Sequence, residues 1–134
     1  MHAEWFDLDQ ESADKLNQAK IKGKQVVAVG TTSTRVLEAS SDESGRLSAQ
    51  QGKTEIFIYP GYKFKFVDSL ITNFHLPKST LLMLVSAFCS QPNTDQQFKN
   101  FKQSLVGQAY QQAIKKEYRF YSFGDAMLLA GSSR

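Results

Sequence analysis

The stretch DSLITNFHLPKSTLLMLVSAF, residues 68–88, places polar and ionisable side chains between two apolar runs. We expect residues 68–74 to form a strand. Pro77 and Ser79 are typical of a helix start, and the following apolar residues share one helical face. In α/β folds, ligands gather where strands lead into helices, so the segment TNFHLPKST is a candidate site.

A second strand-to-helix junction lies earlier in the chain. Residues 25–29 form a short β-branched run that predicts a buried strand, and residues 30–33, GTTS, turn the chain into a helix over residues 34–40. A helix that begins at Asp7 or Asp9 and reaches Lys22 precedes this strand. The order helix, strand, turn, helix predicts an α/β domain with mostly parallel strands.

The rest of the chain predicts further elements of a single domain over residues 1–134, without an internal repeat. Alternation and turn residues indicate strands at residues 55–59 and 62–67, and apolar spacing predicts a helix over residues 97–118. Polar composition indicates exposed loops at residues 40–53 and 89–97. The tail turns at Gly124 and Asp125 and ends apolar.

Composition sets broad limits on function. The chain has 134 residues, 41% hydrophobic and 22% charged, which is typical of a globular domain. A net charge of +3 suits an RNA-binding surface, but many enzymes that do not bind nucleic acid are equally basic. The single cysteine, Cys89, excludes an internal disulfide and fits a cytoplasmic protein. The longest apolar run, residues 81–85, is too short to span a membrane, and no leader begins the chain.

The segment GTTSTR can do one of two things. Its hydroxyls and backbone N–H groups can hold an anion or a ribose, or Thr31, Thr32 and Ser33 can simply cap the helix. Arg35 in the first turn opposes the helix dipole, so it either faces an acidic ligand or points into solvent.

The segment TNFHLPKST carries the best candidate for proton transfer. His75 is one of two histidines, a residue type whose unperturbed pKa lies near neutral pH, although a lone histidine among aromatic residues is also common as a structural residue. Asn73 is either a ligand or a turn residue, and Lys78 is either a ligand or a solvated charge. No spacing of His2, His75 and Cys89 indicates a metal site.

The segment YKFKF, residues 62–66, interleaves aromatic and basic side chains. Such a strand either stacks on nucleic-acid bases or is half-buried with its lysines in water.

Four segments in order resemble one known family: MHAEW, VVAVGTTSTRVLE, IFIYPGYKFKFVDSLITNFHLPKSTLLMLVSAF and YRFYSFGDAMLL. Together they resemble the C-terminal part of the S-adenosylmethionine:tRNA ribosyltransferase-isomerases of queuosine biosynthesis. The resemblance implies part of an α/β-barrel-like domain with flanking helices. It also implies a cytoplasmic enzyme that transfers and isomerises the ribosyl portion of S-adenosylmethionine on the 7-aminomethyl-7-deazaguanine wobble base of tRNA. The products would be epoxyqueuosine tRNA, adenine and methionine, with no metal required.

The resemblance also implies roles for individual residues. We expect His75 and Asp125 to act in catalysis. We expect substrate binding by Thr31, Thr32, Ser33, Arg35, Asp68, Thr72, Asn73, Lys78 and Arg119, with further contributions from His2, Glu4 and Tyr59.

The chain departs from the family in three respects. It lacks the long N-terminal part and the inserted β-domain, it is longer over residues 89–108, and it has Thr34 where valine is usual. We therefore expect the chain alone to be weak or inactive, and to associate with itself or with the missing part. The alternatives are a noncatalytic RNA-binding module and an inactive fragment of the enzyme.

Overall fold

The computed structural model describes residues 2–131 and folds them into a mixed α/β arrangement, which confirms the expected class. These residues form five strands and four helices. In chain order they are β1 Glu4–Leu8, α1 Gln10–Ile21, β2 Val27–Val29, α2 Thr31–Ser40, β3 Gln50–Thr54, β4 Ser69–Asn73, α3 Thr80–Phe88, α4 Leu105–Lys115 and β5 Ala126–Ala130.

The strands form a three-stranded sheet, ordered β2-β4-β5, and a two-stranded ribbon, β1-β3. Strands β2 and β4 are parallel, whereas β4 pairs with β5 and β1 pairs with β3 in antiparallel fashion. The expectation of mostly parallel strands is therefore corrected. The reason is that β5 returns along β4 from the turn at residues 119–125, and no sequence pattern specified that return.

Strand β4 runs through the larger of two cores. Leu70 is fully buried there and packs with α3 and α4, whose buried members include Leu84, Val85 and Tyr110. Burying a side chain of this size contributes about 1.5–3 kcal/mol relative to exposure. The smaller core lies between α1 and the ribbon and contains Leu8, Ala13, Val26, Leu47 and Phe66.

Two predictions are wrong because residues assigned to a helix start and to a loop belong to the two-stranded ribbon. Residues 50–53, predicted as exposed loop, belong to β3, and Leu47 is buried at 2% exposure. Asp7 lies in β1 rather than in a helix. Asp9 is the N-cap of α1, where its carboxylate accepts a hydrogen bond from the Ser12 N–H at 2.6 Å.

The strands predicted at residues 55–59 and 62–67 do not form. In the second segment, a buried carboxylate takes up the backbone N–H groups that pairing with another strand would need. Glu38 of α2 is fully buried and accepts from the N–H groups of Lys65, Phe66 and Val67 at 2.8–2.9 Å. The Tyr62 hydroxyl donates to the same carboxylate at 3.0 Å. The alternation of aromatic residues over residues 62–66 therefore reflects the burial of Phe64 and Phe66, and not the pairing of this segment in a β-sheet.

The C-terminal helix is shorter than predicted. Residues 97–104 are irregular, and α4 begins only after Ser104, whose hydroxyl accepts from the Gly107 N–H at 3.0 Å. A Cβ on Gly107 would lie 1.8 Å from the Phe101 carbonyl oxygen, so only glycine permits this close approach of the two backbone segments. The segment 89–97 contains no helix or strand, although Ser90 within it is buried.

Candidate functional site

The two strand-to-helix segments meet in one cleft of about 560 Å³. Strands β2 and β4 are parallel neighbours, so their carboxyl ends lie at the same edge of the sheet. Residues 30–33 form one wall and residues 72–75 form another, and Tyr121 and Ser122 close a third side.

The first wall is the start of α2. The Gly30 N–H donates to the Ile71 carbonyl at 2.8 Å, which joins this turn to β4. Gly30 has φ of 94°, a conformation that favours glycine. The helix has no side-chain cap, so capping does not explain the hydroxyls of Thr31, Thr32 and Ser33. The Thr32 hydroxyl donates to Glu4 Oε1 at 3.2 Å.

The second wall holds His75 in a defined orientation. Its Nε2 lies 2.9 Å from Thr72 Oγ1, and its backbone N–H donates to the Tyr110 hydroxyl at 2.8 Å. Partial burial lowers the pKa of the His75 imidazole from its ordinary value. The ring is therefore neutral at physiological pH, the state in which an imidazole can accept a proton.

Asn73 of β4 binds the loop over residues 119–125, which forms the third side of the cleft. Its side-chain amide donates to the carbonyl oxygens of Asp125 and Gly124 at 3.1 and 3.4 Å. The Tyr121 N–H donates to the Phe74 carbonyl at 3.0 Å, which holds the same loop against the strand. The sequence analysis did not predict Tyr121 as a cleft residue. The only signal for it was that it lies in YRFYSFGDAMLL, one of the segments that resemble the family.

Asp125 does not line the cleft. Its carboxylate accepts from the Arg119 backbone N–H at 2.7 Å and from the Arg119 guanidinium at 3.0 Å. These bonds lower the pKa of Asp125 from its ordinary value, with the side-chain bond the largest cause. A carboxylate held in this way is a weak proton acceptor, so the geometry favours a role in closing the loop over residues 119–125.

Arg35 is an internal residue with 1% exposure and does not line the cleft. Its guanidinium donates to the carbonyls of Ile56 and Thr54 at 3.2 and 3.3 Å, and lies 3.2 Å from Glu4 Oε2. It also reaches the His2 carbonyl at 3.4 Å. Arg35 thus joins α2 to the ribbon, and neither alternative from the sequence, ligand or solvent, describes this placement.

Three other candidates also lie outside the cleft. Asp68 precedes β4, at the opposite end of the strand, and its carboxylate accepts from the Val26 N–H at 2.8 Å and lies 3.3 Å from Lys20 Nζ. Lys78 is exposed and borders a neighbouring apolar groove. Tyr59 is half-exposed and belongs to a separate depression.

Residues 2–131 contain no group of three or more His, Cys, Asp or Glu side chains arranged to hold a metal ion. The same described residues include no helix long and apolar enough to cross a membrane.

Comparison with known proteins gives the family. A family model described as "Queuosine biosynthesis protein" matches residues 1–129. This chain belongs to that family. The S-adenosylmethionine:tRNA ribosyltransferase-isomerase of Clostridioides difficile is 54% identical over 129 residues, covering 96% of this chain and 34% of the relative. The enzyme of the same name from Desulforamulus reducens is 50% identical over the same shares.

A solved structure shows the same fold. The crystal structure of an S-adenosylmethionine tRNA ribosyltransferase from Thermotoga maritima matches with a TM-score of 0.73 and 47% identity, covering 92% of this chain and 40% of that one. The chain corresponds to a C-terminal portion of the queuosine biosynthesis proteins. It spans about a third of the length of the curated relatives that it matches.

Proposed function

We propose that this chain supplies part of the active site of a cytoplasmic S-adenosylmethionine:tRNA ribosyltransferase-isomerase. The reaction moves the ribosyl portion of S-adenosylmethionine to the 7-aminomethyl-7-deazaguanine wobble base of tRNA and isomerises it. Epoxyqueuosine tRNA forms, and adenine and methionine leave. The supporting observation is the cleft that unites residues 30–33 with residues 72–75, in a chain 50–54% identical to relatives of that name.

His75 is the proton-transfer group of this proposal. The sulfonium of S-adenosylmethionine makes the adjacent ribose 5′ carbon acidic, so a neutral base beside that carbon promotes the first step. Burial keeps the His75 pKa low and the ring neutral. Thr72, 2.9 Å from Nε2, orients the ring.

The start of α2 is the binding wall of this proposal. Thr31, Thr32 and Ser33 line the cleft and are not used as helix caps, so their hydroxyls and the nearby N–H groups can meet the ribose or the carboxylate of the donor. In this proposal, Asn73 holds the loop that contains Asp125 against β4. The proposed reaction uses no metal ion.

The isolated chain is expected to be weak or inactive, since one face of its main sheet is uncovered. Val29, Ile71 and Leu128 lie side by side across the three strands, and Val29 and Leu128 are 67% and 63% exposed. Sheets with parallel strands are usually covered on both faces. The rest of the family's fold, or a second copy of this chain, would cover this face.

Calorimetric titration with S-adenosylmethionine tests the proposal. We compare the parent chain with His75→Ala and with Gln111→Ala, a control on an exposed position of α4 that lines no part of the cleft. The expected result is saturable binding by the parent and by Gln111→Ala, with affinity reduced roughly tenfold in His75→Ala, the cost of about one hydrogen bond.

Equal affinity in His75→Ala and the parent would contradict the role of His75. No binding by any folded variant would require repeating the titration with the complementary part of the family's chain added. Adenine release from tRNA and S-adenosylmethionine by that mixture, and not by the chain alone, is the activity result expected.

A further inference from the structure

Two aromatic rings stand exposed on a part of the surface that the cleft does not use. Phe57 and Tyr59 are 43% and 51% exposed, and their ring centroids lie 5.4 Å apart with planes inclined by 40°. Ile58 between them is fully buried and fixes the segment to the larger core. The alternation directs both rings outward from an anchored backbone.

The ring pair is exposed although its support is rigid. The Tyr62 N–H donates to the Tyr59 carbonyl at 3.0 Å, which closes the turn at Pro60 and Gly61. The Tyr62 hydroxyl is held in turn by the buried Glu38 carboxylate. Single exposed apolar side chains are ordinary, but two adjacent rings on an anchored turn form a preorganised contact surface.

Cations border the rings. Lys63 and Lys65 line the same depression of about 490 Å³ together with Phe57, Tyr59 and Glu43. Lys65 donates to the Ser41 carbonyl at 2.8 Å and lies 3.8 Å from Glu43. Lys63 is exposed and takes part in none of the ion pairs of residues 2–131, so its charge is available to an anion.

Shared and neighbouring residues connect the ring pair to the cleft through an apolar groove. The groove, of about 450 Å³, contains Ser79, which also lines the cleft. The groove contains Pro60 as well, whose two chain neighbours line the depression beside the rings. Lys78, which is exposed, borders this groove next to Ser79.

We infer that this surface is a track for single-stranded RNA that leads from the cleft to the ring pair. A base stacks on Phe57 and Tyr59 with its phosphate near Lys63, and a phosphate further along the track meets Lys78 at the groove, since aromatic faces and cations together are what unpaired RNA binds. This inference rests on the proposed function and names the surface that its RNA substrate uses. Phe64 and Phe66 of the segment YKFKF cannot stack on a base, because both are buried.

Fluorescence anisotropy with a labelled single-stranded RNA of about ten nucleotides tests the track. The variants are Phe57→Leu/Tyr59→Leu, which keeps apolar bulk but removes both rings, together with Lys63→Gln and Lys78→Gln. The controls are Trp5→Leu, an aromatic residue 66% exposed in β1, and Lys115→Gln on the outer side of α4. Circular dichroism verifies that each variant is folded.

The ring variant is expected to bind the RNA roughly tenfold more weakly or worse, whereas Trp5→Leu and Lys115→Gln bind like the parent. Each lysine variant is expected to reduce the slope of log affinity against log salt by about 0.7, the value for one phosphate contact in a single strand. A purely structural role for these lysines would leave that slope unchanged.

RNA affinity that is unaffected by the ring variant would overturn the inference and assign the rings to a protein interface. The absence of RNA binding by the folded parent would overturn it too. Both outcomes are distinct from failure of the proposed function, which the titration with S-adenosylmethionine measures separately.

Discussion

Replacing Glu38 with glutamine is the most direct test of how residues 62–67 are held. The carboxylate accepts four hydrogen bonds: Oε1 from the N–H groups of Phe66 and Val67, and Oε2 from the Lys65 N–H and the Tyr62 hydroxyl. Glutamine retains one acceptor oxygen and replaces the other with an NH₂ group. The Tyr62 hydroxyl can rotate to accept from that group, but the Lys65 N–H then faces another donor.

The expected loss follows from this count. One buried N–H left without an acceptor costs about 1–3 kcal/mol, and converting two charged hydrogen bonds to neutral ones costs about 1 kcal/mol each. The free energy of unfolding should fall by about 3–5 kcal/mol, a large part of the ~5–15 kcal/mol of a typical domain. For a chain of this size the melting temperature should drop by about 10–20 °C.

Thermal and urea unfolding of Glu38→Gln, followed by circular dichroism, measure this loss. Glu43→Gln is the matched control, because Glu43 is 96% exposed and only 3.8 Å from Lys65, so its loss should stay within about 0.5 kcal/mol. Tyr62→Phe should cost about 1 kcal/mol alone and less in the Glu38→Gln background, where its bond is already altered. A melting temperature of Glu38→Gln within about 2 °C of the parent would refute the reasoning.

Three further predictions concern the cleft and the thiol. Because burial lowers the His75 pKa from 6.5, the acid limb of the kcat/KM profile of the reconstituted enzyme should lie below pH 6.5, and a limb above that value would contradict a neutral base. Gly124→Ala should displace the loop and weaken S-adenosylmethionine binding, since a Cβ there would lie 2.3 Å from the Arg119 carbonyl oxygen. Gly23→Ala has open space but a φ of 73°, so it should lower stability and leave binding by the folded chain intact, because Gly23 does not line the cleft. Burial raises the pKa of the Cys89 thiol to about 11. Iodoacetamide at pH 8 should therefore modify the thiol at least tenfold more slowly in the folded chain than in urea. Equal rates would show that the thiol is accessible in the folded chain.

The sequence by itself predicted the features that depend on neighbouring residues. The sequence predicts a cap at Asp7 or Asp9 and another at or next to Ser79, from their position before apolar spacing. Asp9 and Ser79 are the residues that accept the N–H bonds, from Ser12 and Leu82. The strands at the two junctions followed from short apolar runs, and their parallel pairing placed residues 30–33 and 72–75 at one edge. The roles assigned to the cleft residues stay predictions.

Only the tertiary structure decided the features that join distant parts of the chain. Glu38 bonds to backbone groups 27–29 positions away, and these bonds replace the strand predicted at residues 62–67. Arg35 is buried against carbonyls 19 and 21 positions away. The exposure of Phe57 and Tyr59 next to the buried Phe64 is likewise a result of packing. The physical reason is that periodicity and capping report local backbone preferences, whereas the partner of a buried charge is chosen by whichever polar groups the fold brings beside it.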